Sequence, residues 1–68
     1  MKLEKGNKIL ISESPSNIKL AENGGYTKIL GQICYYYKYK YENTSYICID
    51  VDCDHADWCV YNNSIIKL

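Results

Sequence analysis

The sequence predicts one mostly β domain spanning residues 1–68, on three observations. Apolar residues alternate with polar ones in short runs, glycine and asparagine corners separate those runs, and 68 residues suffice for one thin core. A chain this short buries only about 60% of the surface it exposes when unfolded. Its total stability is on the order of 3–10 kcal/mol.

Residues 6–12 read as a first strand, opened by Gly6-Asn7 and closed by the break at Ser14-Pro15. Residues 15–22 admit two readings. One is a helix with Ser14 as N-cap, Pro15 in its first turn and Gly24 as its stop; the other is one helical turn within a loop. Ile18, Leu20 and Ala21 are the side chains there that can face a core. Asn23-Gly24-Gly25 is a turn. Residues 26–37 read as a long strand whose Ile29 and Ile33 face the core, with Gly31 marking a bend or bulge.

Residues 42–45 form a polar turn. Residues 46–51 read as a third strand with Ile47, Ile49 and Val51 on one face, and residues 52–56 as the next turn. Residues 57–61 form a fourth strand with Trp58 and Val60 on one face. Asn62-Asn63-Ser64 is a tight or 3₁₀ turn before a last short strand, 65–68. Five short strands separated by turn chemistry predict a small barrel or sandwich. Closing the sheet also removes exposed edges.

This order of elements resembles a small SH3-like barrel. The residues that carry the resemblance are Gly6-Asn7-Lys8-Ile9-Leu10-Ile11, Gly24-Gly25 before Ile29-Leu30-Gly31-Gln32-Ile33, Tyr46-Ile47-Cys48-Ile49-Asp50, Trp58-Cys59-Val60 and Ile65-Ile66-Lys67-Leu68. It is closest in style to short KOW-like proteins of bacteria and phages, and covers most of residues 6–68. The resemblance implies a mostly β, five-stranded SH3-like barrel with a 3₁₀ turn before the last strand. Two features depart from the wider family. RNA-binding KOW domains are basic whereas this chain is neutral, and the Ala-Leu-Tyr-Asp-Tyr element of peptide-binding SH3 domains is absent.

Eight lysines balance eight acidic residues, and there is no arginine. A neutral chain lacks the bulk excess that drives non-specific phosphate binding, and it lacks the best bidentate phosphate reader. Abundant Ile, Lys, Asn and Tyr with no Arg match coding from an AT-rich genome. No targeting or membrane-spanning run is visible, which predicts a cytoplasmic protein in which Cys34, Cys48, Cys53 and Cys59 are free thiols by default.

Three constellations stand out. In residues 35–41 an extended chain puts Tyr35, Tyr37, Tyr39 and Tyr41 on one face and Tyr36, Lys38 and Lys40 on the other. Such rings serve protein interfaces, stack bases, or replace the missing phenylalanine as core. Asp50, Asp52 and Asp54 match the start of a calcium loop, but His55 stands where that loop needs glycine and Tyr61 where it needs glutamate. An acidic turn is then either solvated or a docking patch. Cys53, His55 and Cys59, with Cys34 or Cys48, are zinc-type ligands at a non-standard spacing. His55 is the one histidine, and no third group orients a Cys–His pair for catalysis.

The expected function is therefore a non-enzymatic, cofactor-free protein-binding module, of the kind a phage or mobile element uses to occupy a host defence protein. Tyr36, Tyr39, Tyr41, Asp52, Asp54 and Trp58 are its expected contacts. Two other readings are a nucleic-acid or nucleotide binder using the Tyr/Lys stripe, as a homo-oligomer or alone, and a zinc- or disulfide-stapled structural module.

Overall fold

The computed structural model describes residues 2–68. Five strands, β1 (Lys8–Ile11), β2 (Ile33–Tyr39), β3 (Thr44–Cys48), β4 (Trp58–Tyr61) and β5 (Ile65–Lys67), form one open antiparallel sheet in the order β4-β3-β2-β1-β5. One helix, α1 (Pro15–Gly24), and two 3₁₀ turns, Thr27–Ile29 and Asn62–Ser64, complete the fold.

Residues 15–24 are helical because both ends are set locally. Ser14 is the extended N-cap, Pro15 occupies the first turn without needing an N–H partner, and Gly25 closes the helix at φ 74°. Its N–H reaches the carbonyls of Ala21 and Glu22. Asn17 and Ala21, four apart, are the buried face, while Ile18 is turned outward. The helix packs against β4 and both 3₁₀ turns and so covers the inner side of the sheet.

Between these layers lie Ile9, Ile11, Ala21, Tyr26, Ile29, Cys34, Ile47, Val60 and Ile65, with Leu3, Leu30, Trp58 and Tyr61 around them. Tyr26 is fully buried. Its hydroxyl pairs with Ser64 Oγ at 2.7 Å and accepts the Tyr61 N–H at 3.3 Å. One phenol thus ties the segment after α1 to the turn between β4 and β5, and keeps its own polar end satisfied.

Several elements differ from the sequence expectation. Residues 26–32 are not strand: Tyr26 drops into the core, a 3₁₀ turn follows, and Gly31 at φ 77° redirects the chain before Ile33. A strand cannot run through that left-handed residue, so alternation restarts after it. Cys34 and Tyr36 then face the core, and Ile33, expected inside with Ile29, is 48% exposed. A bulge at Tyr37, between Tyr36 and Lys38, shifts the alternation again. The expected third strand begins earlier and ends at Cys48, leaving Ile49 and Val51 exposed in the following loop. Glu42 and Asn43 at the β2–β3 tip both have positive φ, the handedness that matches strand twist in a tight hairpin.

Candidate partner-binding face

Register defines the two sides of the sheet, because paired residues in an antiparallel ladder point the same way. Ile9 opposite Cys34 and Ile11 opposite Ile65 are inside. Leu10, between them, stands opposite both Ile33 and Ile66, so these three apolar side chains form a row across β2, β1 and β5 on the outer side. Ile33 and Ile66 are 48% and 46% exposed. Leu68, whose N–H bonds the Lys8 carbonyl at 3.1 Å, extends the row at 58% exposure.

Farther along the same side, Lys38 stands opposite Tyr46, and Tyr46 opposite Cys59. Lysines and tyrosines interleave here. Lys5 Nζ lies 5.4 Å from the Tyr37 ring centre, and Lys38 Nζ lies 5.5 Å from Tyr37 and 5.8 Å from Tyr46. Lys40 Nζ lies 5.4 Å from Tyr46 and 5.1 Å from Tyr41. Each separation is within cation–π range. Nearby Cys59 and then Tyr46 push the Lys40 ammonium pKa above the ordinary lysine value.

The expected contact residues are not brought together at one place. Tyr39 and Tyr41 are both 56% exposed near the hairpin tip. Tyr36 is 8% exposed and lines, with Tyr39, Asn43, Ser45, Asn62 and Asn63, a polar cleft of about 530 Å³. The buried Ser45 hydroxyl donates to the Asn62 carboxamide oxygen and lies 3.4 Å from the Tyr36 hydroxyl. Trp58 is half-buried against the core. Asp52 and Asp54 are exposed in the loop between β3 and β4. The outer row of Leu10, Ile33, Ile66 and Leu68 was not anticipated. Its signals in the sequence are Ile9-Leu10-Ile11 and Ile65-Ile66, where consecutive apolar residues in a strand cannot all point inward.

The β3–β4 loop has its own internal ties. Cys48 and Cys53 are joined by a disulfide with Cα atoms 5.5 Å apart, whereas Cys34 and Cys59 are free thiols. The expectation of four free thiols thus holds for two of them; the turn after β3 brings the other pair within bonding reach. Burial, and then Asp57, raise the Cys34 thiol pKa, which keeps this core sulfur protonated. With Cys53 in the disulfide, Cys53, His55 and Cys59 do not form a zinc set, and no cluster of three metal-ligating side chains occurs among the described residues. The three aspartates likewise form no calcium cluster there.

His55 instead bridges two carboxylates, Nδ1 to Asp54 at 2.5 Å and Nε2 to Asp57 at 3.0 Å. Asp57 also accepts the Ile49 N–H at 2.8 Å, closing the loop. The Asp54 hydrogen bond, then the Asp57 charge, raise the His55 pKa; the same hydrogen bond lowers that of Asp54. Raised histidine binding of a proton stabilises the loop below the ordinary histidine value, and that contribution is lost as pH rises through the folded value. The lowered Asp54 contributes above the ordinary carboxylate value and is lost as pH falls through its folded value. An NMR titration of the His55 ring should therefore give a midpoint above the ordinary value that falls in Asp54→Asn. A midpoint unmoved by that substitution contradicts the bridge.

No helix among the described residues is long and apolar enough to cross a membrane. No protein-family model matches the chain, and neither does any curated protein or solved structure.

Proposed function

We propose that this chain is a non-catalytic protein-binding domain of SH3-like barrel build, docking through the outer side of β1, β2 and β5. The barrel reading is supported by the meander order β4-β3-β2-β1-β5 and by the 3₁₀ turn that returns β5 to β1. The role is that of a small accessory protein, of phage or mobile-element type, that occupies a host protein such as a defence component. Size and AT-rich composition support that part.

One observation carries the binding reading: Leu10, Ile33 and Ile66 stand side by side in register with water on one side of them. In a domain with one thin core, three aligned branched side chains left outside are a patch that association would bury. Tyr41, whose ring meets Lys40 on that side, adds stiff aromatic area near the hairpin tip.

The test is capture from host lysate with the intact chain and with Ile33→Lys plus Ile66→Lys. Both positions are half outside the core, so circular dichroism should stay unchanged. A specific captured protein should fall by about tenfold or more, the loss expected when apolar anchors are replaced by charge. Equal recovery by both forms, or no captured protein, counts against the proposal.

A further inference from the structure

We infer that the lysine–tyrosine strip on the outer side of the β2–β3 hairpin receives an acidic, extended segment of the partner protein; this rests on the protein-binding reading above. Lys5, Tyr37, Lys38, Tyr46, Lys40 and Tyr41 form an unbroken series of ring–ammonium contacts. Among the described residues the ion pairs are those of His55 with Asp54 and Asp57, so none of these three lysines is within ion-pair distance of a carboxylate, and only Lys5 lies near enough to one, Asp54, to help lower its pKa. In a chain of zero net charge, that concentrates positive potential on one strip. The rings hold the ammonium groups in place, which lowers the ordering cost of meeting an anion.

A polyanion could be a carboxylate-rich peptide or a nucleic acid, and two features favour the peptide. Lysine without arginine gives point charges and no bidentate phosphate forks. On the same side the strip leads toward the row of Leu10, Ile33 and Ile66, which a protein segment can cover with alternating apolar side chains.

Fluorescence anisotropy with three labelled probes tests this: an extended peptide alternating Glu with Leu, the same peptide with Gln for Glu, and single-stranded oligothymidine of similar length. The Glu peptide should bind more tightly than both others, and more weakly as salt rises from about 50 to about 200 mM. Lys38→Glu with Lys40→Glu should weaken it by about tenfold or more, and Lys19→Glu on α1 should leave it unchanged. No binding of the Glu peptide, tighter binding of the oligonucleotide, or indifference to the double reversal overturns the inference. If lysate capture still depends on Ile33 and Ile66 while the double reversal has no effect, the protein-binding reading stands and this inference alone fails.

Discussion

Tyr26→Ala should remove a large share of the chain's stability. Removing a fully buried aromatic from a core costs about 3–5 kcal/mol, against a total of about 3–10 kcal/mol for a domain of this length. The ring is also the link between distant parts of the chain, since its hydroxyl meets Ser64 and the Tyr61 backbone. Tyr26→Phe separates the two contributions. It keeps the ring but leaves a buried serine hydroxyl and a backbone N–H without their partner, a loss of about 1–3 kcal/mol. Urea unfolding followed by circular dichroism measures both. An alanine variant within about 1 kcal/mol of the parent would show that the core does not depend on this residue.

Reduction of the Cys48–Cys53 bond should lower stability by about 2 kcal/mol, the loop-closure entropy of so short a ring. For a domain of this size that corresponds to a fall in Tm of about 10 °C. Cys48→Ser with Cys53→Ser should melt at the temperature of the reduced parent and be indifferent to reductant. Parent melts that coincide with and without reductant would remove the bond from the account of stability. Cys34 and Cys59 remain in the double variant, so any residual response to reductant is theirs.

The elements that could be read from the sequence are those where alternation runs unbroken between corners. Ile9 and Ile11 flank Leu10 in β1, and Asn62-Asn63-Ser64 precedes Ile65, with nothing to disturb the two-residue period. The stretch around Gly31 could not be read this way. Counting from Ile29 to Ile33 assumes one continuous strand, and a single left-handed residue between them reverses every side chain that follows. That reversal also hides the exposed row, because an uninterrupted count places Ile33 in the core. Tyr26 was hidden for another reason: two glycines before it signal a turn, and nothing local says that the residue after a turn fills the centre. The Cys48–Cys53 pairing depends on the path of a loop, which spacing does not fix.

The bulge at Tyr37 lets one aromatic run furnish both surfaces of a two-stranded ribbon. Ahead of it Tyr36 sits beside Ile47; beyond it Lys38 meets Tyr46, and Tyr39 falls in line with Ser45. The hairpin therefore contains one spare position. Loss of the codon for Tyr37 would restore a regular ladder and leave each neighbour on its present side. The same loss two codons earlier would turn Ile33 and Cys34 inside out, so the gene is free to change length at one point of this hairpin and is held to its count just before it.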